Sequence, residues 1–225
     1  MATEPAIDAE RVTENLAAVR RRITAAGGDN DRITIVAVTK GFGADAPAAA
    51  KAVGLLDVGE DRAPQLQDKA AAVDGMRWHF IGRLQRNKVK DVESLVHLWH
   101  SIDRPELGDE VAKRAPGAAV LVQVNVSGEP QKGGCRWDVA PQLVDHLRDK
   151  ALDVRGLMAI GPSGRPEEAR PGFRRLAALA RDLELPELSM GMTGDLEVAV
   201  AEGATMVRIG TALFGPRPHP AGLQR

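Results

Sequence analysis

Hydrophobic positions along this chain follow two periods that take turns. The opening segment IDAERVTENLAAVRRRITAAGGD spaces Val12, Leu16, Val19 and Ile23 by four and three residues, which predicts an amphipathic helix over about 7–26. Asp8 offers an N-cap for it and Gly27-Gly28 a stop. Short β-branched runs then alternate with helical ones. ITIVAV is followed by APAAAKAV, LLDVG by APQLQDKAAAV, RWHFIG by the short basic RNKVKDVE, and LWHSI by ELGDEVAKRA. The second half repeats the pattern with AVLVQVNV and APQLVDHLRDK, VRGLMAI and PEEARPGFRRLAALARDL, ELSMGM and DLEVAVAEG, and finally MVRIGTALFG. Strands that are nearly continuous in apolar residues, each trailed by a helix, predict an α/β protein with a parallel sheet covered by helices. Such units packed into about 200 residues are close to the minimum for a closed (β/α)8 barrel of TIM type, whose active site lies at the carboxyl ends of its strands. An open doubly wound sheet has the same element order. The whole of 1–225 is expected to form one domain. Only GPSGRPEEARPG, with glycines, prolines and charges but no apolar anchor, reads as a long and mobile loop.

Composition narrows the partners. Lys and Arg total 30 against 31 Asp and Glu, a net charge of -1, so nothing in the balance calls for nucleic acid or anionic lipid. A small ligand is the better expectation. The first residues have neither a basic start nor an apolar run, and no stretch reaches the roughly 18 apolar residues that span a bilayer, so a cytoplasmic protein is expected. Cys135 is the one cysteine, which excludes an internal disulfide and a multi-cysteine metal site. It reads as a free buried thiol. The histidines, including His97, His100, His146 and His219, show no ligand spacing, and no metal is expected. His79, between Trp78 and Phe80 on a strand, reads as a structural histidine whose side chain can point into the barrel. A closed barrel has no sheet edge to pair, so a monomer is expected.

The residues just after the strands are the ones that could carry chemistry. Lys40 ends the first strand, inside AVTKGF. A strand-end lysine usually extends its amine into water or pairs with an acid; an amine held in a partly dry barrel mouth would instead favour the neutral form and attack a carbonyl carbon. Gly41 and Gly43 would let backbone and ligand approach closely. At the far end, SMGMTGDLE and VRIGTALFG bring Thr193, Gly191, Gly194, Gly210 and Thr211 to the loops after strands seven and eight, where barrels of this type hold phosphate through amides and hydroxyls. A ligand bearing both an aldehyde and a phosphate suits that pair of features. The basic run with Arg83, Arg86, Lys88 and Lys90 reads as a solvated helix face, or as a positive rim drawing in anions or a recipient enzyme.

The motifs AVTKGF, VGE, WHFIGRLQRNKVK, QVNVSGEPQKGG, RGLMAIGP and LSMGMTGDLEVAVAEGATMVRIGTALFG, in this order, resemble those of the pyridoxal-phosphate homeostasis proteins, single-domain relatives of the amino-terminal barrel of alanine racemase. The resemblance implies a fold type III barrel holding pyridoxal 5'-phosphate as a Schiff base on Lys40. It implies that Thr193, Gly210 and Thr211 bind the phosphate, and that Asn125 and Met190 line the pocket. Arg208 would lie against the pyridine nitrogen and, donating only, keep it an unprotonated acceptor, which makes the ring a poor electron sink. Alanine racemase, as the family relation implies, takes a tyrosine base from a second domain, whereas this sequence has no tyrosine at all. The resemblance therefore points to a carrier or buffer of the cofactor that serves apo enzymes, with no catalytic residue assigned. An amino-acid racemase on the same chemistry and a cofactor-free class I aldolase acting through Lys40 are the alternatives. The sequence departs from the family pattern at Asp61-Arg62, where Asn-Tyr is usual, and at Arg83, where histidine is common.

Overall fold

The computed structural model describes residues 7–129 and 131–217; His219 lies outside them. Helix α1 (Ala9–Ala25) begins where the Asp8 carboxylate accepts from the Glu10 amide, and ends before Gly27, whose φ of +86° is the left-handed turn that glycine adopts without strain. Its buried stripe is Val12, Leu16, Val19 and Ile23, the set its spacing predicts. From there strand and helix alternate as β1 (Thr34–Val38), α2 (Asp45–Ala52), β2 (Asp57–Glu60), α3 (Ala63–Ala72), β3 (Arg77–Phe80), α4 (Val89–Val92), β4 (Val96–Ile102) and α5 (Pro105–Arg114). The second half continues with β5 (Ala119–Gln123), α6 (Ala140–Asp149), β6 (Asp153–Met158), α7 (Arg170–Asp182), β7 (Glu187–Ser189), α8 (Leu196–Ala201), β8 (Met206–Ile209) and α9 (Thr211–Phe214). The strands pair in sequence order and the ring closes, with β1 lying parallel to β8 in the register Val36 to Arg208. The barrel, not the open sheet, is therefore the architecture. Among the described residues no helix is long and apolar enough to cross a membrane.

Alternation along the strands divides the side chains between two cores. Outward positions such as Ala37, Val58, Trp78, Trp99, Val122, Leu157, Leu188 and Val207 are buried against the surrounding helices. Inward positions contribute a smaller apolar plug of Val36, Leu98, Leu121, Met158 and Met206. The rest of the interior is polar: His79, His100, Gln123, Ser189 and Arg208 are all buried on the same inward phase. Packing against α2, α8 and α9, α1 occupies the outer layer near the β8–β1 seam, where α9 is too short to cover it.

One expectation fails. GPSGRPEEARPG is not a long loop, because a 3-10 turn forms over Pro166–Ala169 and α7 begins at Arg170. The turn is fastened by Arg170, which bonds Glu167 beside it and Glu202 across the α8 end. Two of the three prolines that suggested a loop, Pro166 and Pro171, occupy helix-start positions, where a missing N–H costs nothing.

Candidate functional site

A cleft of about 200 Å³ opens at the carboxyl end of the barrel. Lys40 enters it from the residue pair beyond β1, and Arg208 from β8 beside it. Thr193 and Gly194, after β7, and Gly210 and Thr211, after β8, form one wall. Val38, Ile81, Ile160 and Met192 supply apolar sides, and Arg217 closes the rim. Sequence reasoning thus places five of its candidates, Lys40, Thr193, Arg208, Gly210 and Thr211, around one opening.

Lys40 owes its position to a buried ion pair behind the barrel wall. Glu60, at the end of β2, pairs with Lys69 of α3, and both are almost wholly inaccessible. The Lys69 ammonium also donates to the Thr39 carbonyl at 2.7 Å, while the Thr39 hydroxyl donates to the Glu60 carboxylate at 2.6 Å. The peptide that carries Lys40 is therefore held from outside the cleft at both its carbonyl and its neighbouring side chain. Sequence reasoning missed this group because Lys69 reads as a solvated lysine. The available signal was its place three residues after Leu66, on the buried stripe of α3.

The amine itself is not in the dry setting imagined for it. The Lys40 side chain is one-third exposed, and its Nζ lies 3.3 Å from the Asp61 carboxylate. That carboxylate gives the amine a counter-charge at the rim of the cleft. Gly41, with φ at +80°, serves a different purpose from the one expected: a Cβ there would come within 2.9 Å of Arg217 Cδ. Glycine at this turn makes room for Arg217 at the rim, a residue sequence reasoning did not single out. Gly43 lies beside Asp45 and does not line the cleft.

Across the opening, the Thr193 hydroxyl accepts from the Ala212 amide at 3.3 Å, which leaves its own proton free to donate. A Cβ added at Gly194 would meet no protein atom, whereas one at Gly210 would press on Val38 at 3.2 Å. Gly194 therefore faces open cleft, and at Gly210 the close approach to β1 leaves little room for a side chain.

Arg208 is buried and, among the described residues, has no carboxylate partner in contact. Its Nη1 donates to the Ser189 carbonyl at 2.8 Å and the Ser189 hydroxyl at 2.7 Å, and its Nη2 to the Ala159 carbonyl at 2.8 Å. Burial lowers its pKa to about 10, which still leaves it a cation at neutral pH. With five N–H donors and three engaged, the guanidinium has donors left for an acceptor in the cleft.

Asn125 and Met190 do not join this site. The Asn125 amide donates to the carbonyls of Glu129 and Lys132 and accepts from the Gly128 amide, so it organises the loop after β5 and lines a separate cavity beside Trp137 and Arg175. Met190 follows Ser189 on the outward phase of β7 and packs into the helix-side core. Gly191, at φ +92°, then reverses the phase, and Met192 becomes the methionine on the cleft.

His79 points inward, as its alternation suggested, and meets two partners. Its Nδ1 is 2.8 Å from His100 Nε2 and its Nε2 is 3.0 Å from Asp57 Oδ1. Burial alone would raise the Asp57 carboxyl, but hydrogen bonds from Arg77 and His79 outweigh it and hold it well below the usual carboxylate range. A depressed folded-state pKa contributes stability that is present above the unfolded value, near 3.9, and is lost as pH falls through the folded one. Asp57→Asn is therefore expected to destabilise the protein at pH 7, with the difference from wild type narrowing below about pH 4, as urea melts across that range would read. Cys135 is buried, and burial pushes its thiol up to about 12, so it is inert as a nucleophile at neutral pH. In the basic run, Lys88 pairs with Asp91 and Arg86 lies 4.0 Å from Glu110, so both are partly neutralised on the surface.

Fold and site together define a parallel (β/α)8 barrel with a lysine-centred cleft facing a buried arginine and a wall of glycines and threonine hydroxyls. The chain belongs to the family described as alanine racemase, N-terminal domain, whose model matches residues 7–218, and within it to the pyridoxal phosphate homeostasis proteins. A pyridoxal phosphate homeostasis protein of Deinococcus radiodurans is 42% identical over 204 residues, covering 88% of this chain and 97% of that one. Another, of Pseudomonas aeruginosa, is 39% identical over 223 residues, covering 95% and 97%. The structure of PipY from Synechococcus elongatus PCC7942 with PLP bound superposes with a TM-score of 0.79 at 31% identity, covering 91% of this chain and all of that one.

Proposed function

We propose that this protein binds pyridoxal 5'-phosphate in the cleft, holds it reversibly on Lys40 and releases it to recipient enzymes, as a carrier or buffer of the cofactor. The observation that carries this reading is the pairing of Lys40 with an anion cradle and with a buried, acid-free arginine in one cleft. The residues suit the group. Gly194 leaves open space at the cleft wall, and Arg208 has unengaged donors in a buried position. When bound, the cofactor supplies an aldehyde that condenses with a primary amine, and a ring that can accept electrons.

Thr193, Gly194, Gly210, Thr211 and Arg217 would bind the phosphate, with the Thr193 proton and the Arg217 charge directed at its oxygens. Arg208 would donate to the ring nitrogen. Because a guanidinium cannot accept, it keeps that nitrogen free of a proton and weakens the ring's capacity to stabilise a carbanion. No tyrosine exists anywhere in the 225 residues to act as a phenolic base. Both features favour retention of the cofactor over turnover of amino acids. The reading supposes a monomeric protein acting in the cytoplasm, and it is supported by the relatives at 39% identity and above that are pyridoxal phosphate homeostasis proteins.

Titration of the purified protein with pyridoxal 5'-phosphate tests it. Absorbance near the visible edge should saturate at one equivalent, borohydride should fix the added mass on the peptide containing Lys40, and α-proton exchange of amino acids in deuterated water should stay at background. A protein that remains colourless, or one that exchanges α-protons at enzymatic rates, would overturn the reading.

A further inference from the structure

A line of hydrogen bonds crosses the barrel interior from the cleft to the opposite end. Arg208 Nη1 donates to Ser189 Oγ at 2.7 Å, Ser189 Oγ lies 3.0 Å from His100 Nδ1, His100 Nε2 lies 2.8 Å from His79 Nδ1, and His79 Nε2 lies 3.0 Å from Asp57 Oδ1. These residues come from β8, β7, β4, β3 and β2, so the line steps across the barrel from β8 to β2 as it descends. All are buried except Asp57, which is half-buried and also accepts from Arg77 Nε at 2.7 Å.

The chemistry of the two ends fixes the direction of every link. A guanidinium only donates and a carboxylate only accepts. With one proton on each imidazole, Asp57 requires His79 to carry its proton on Nε2, which makes His79 Nδ1 an acceptor. His100 must then donate from Nε2 and accept at Nδ1, so the Ser189 hydroxyl donates to His100 while accepting from Arg208. This assignment gives each contact one donor and one acceptor. A further proton on either imidazole would add a cation to a column that already holds Arg208 at one end and Arg77 at the other, with Asp57 as its own carboxylate and Asp195 acting on Arg208 from outside it. His97, whose ring centroid is 5.8 Å from that of His79, and Arg155 near it face the same end. Burial, with His79 and Arg208 adding to it, holds His100 well below the ordinary histidine range.

Packing alone would not require such a column. The same interior is filled elsewhere by Val36, Leu98, Leu121, Met158 and Met206, and buried polar groups are tolerated only when each is satisfied. Resting on the reading that Arg208 faces the ring nitrogen of the bound cofactor, we propose that Ser189, His100, His79 and Asp57 are positioning residues that transmit the acceptor strength of Asp57 through the barrel to Arg208. The relay thereby fixes the orientation and strength of the hydrogen bond that Arg208 offers in the cleft. None of the four is a catalytic residue.

Two measurements on the full chain test this. In the unmutated, ligand-free protein, long-range proton–nitrogen spectra should show both His79 and His100 with the Nε2 proton that the contacts to Asp57 and to His79 require. A neutral ring carrying its proton on Nδ1 at either site would overturn the relay. In the second, binding of pyridoxal 5'-phosphate is compared with binding of its 1-deaza analogue, whose ring cannot accept a hydrogen bond. Wild type should prefer the natural cofactor, and Ser189→Ala should reduce that preference about tenfold while leaving the affinity for the analogue unchanged. If wild type shows no preference, Arg208 does not face the ring nitrogen and the reading beneath the relay fails. If wild type discriminates and Ser189→Ala weakens both ligands equally, or neither, the column only fills space and the relay fails.

Discussion

Replacing Lys40 with alanine is expected to eliminate the borohydride-trapped adduct entirely and to weaken binding of pyridoxal 5'-phosphate by at least about a hundredfold, or ~3 kcal/mol. The cradle of Thr193, Gly194, Gly210 and Thr211 remains in the variant, so a weak, colourless association through the phosphate should persist. Inorganic phosphate should compete for that residual binding. The fold should not suffer, because Lys40 is one-third exposed and its contact with Asp61 at 3.3 Å is an accessible ion pair of a kind that contributes about 1 kcal/mol or less. Unchanged melting together with loss of the adduct would separate a chemical role from a structural one. If the yellow adduct persists in the variant, a different amine captures the aldehyde, and the assignment of Lys40 is wrong.

The second large effect concerns a lysine that never touches the cleft. Lys69→Met should cost about 3–5 kcal/mol, since it leaves the Glu60 carboxylate buried without its cation. The Thr39 carbonyl loses its donor in the same step, so the end of β1 loosens and cofactor capture should weaken alongside stability. The double variant Glu60→Met and Lys69→Met should recover most of the stability, because replacing both charges removes the unpaired group. Capture should recover less, as neither methionine can hold Thr39. Equilibrium urea unfolding and cofactor titration on the same three proteins would show whether the two effects separate in this way. A single variant as stable as wild type would mean that the pair contributes nothing to the barrel wall.

Much of this arrangement could be read before any coordinates, and the failures share a cause. The two hydrophobic periods give the order of strands and helices because each strand is buried on both faces and each helix on one. That Lys40, Thr193, Gly210 and Thr211 share one opening was legible because a barrel gathers its strand ends at one mouth, and strand ends can be counted. Met190 failed because the phase of a strand holds only while the chain stays extended, and the positive φ of Gly191 hands the cleft to Met192. Asn125 failed because the loop after β5 folds back on its own side chain, a contact between residues only three to seven apart that no periodicity encodes. The column through the barrel was half visible. His79 is legible from its alternation on a strand and Arg208 from the family resemblance, but that they share a line with His100, Ser189 and Asp57 depends on register across several strands. Register is a property of the closed ring and is not written in any one segment.

The overall charge of -1 hides a local imbalance at the mouth of the barrel. Lys40, Arg208 and Arg217 converge on the opening, while among the described residues Asp61 is the carboxylate in ion-pair contact with one of them, Lys40, and Asp195 acts on Arg208 from farther off. An incoming anion therefore meets an attractive electrical well on a nearly neutral particle, and its arrival should be hastened over a range of about one Debye length, some 8 Å in physiological salt. Phosphorylated solutes should therefore arrive at the opening faster than neutral ones of the same size, an advantage that added salt would erase.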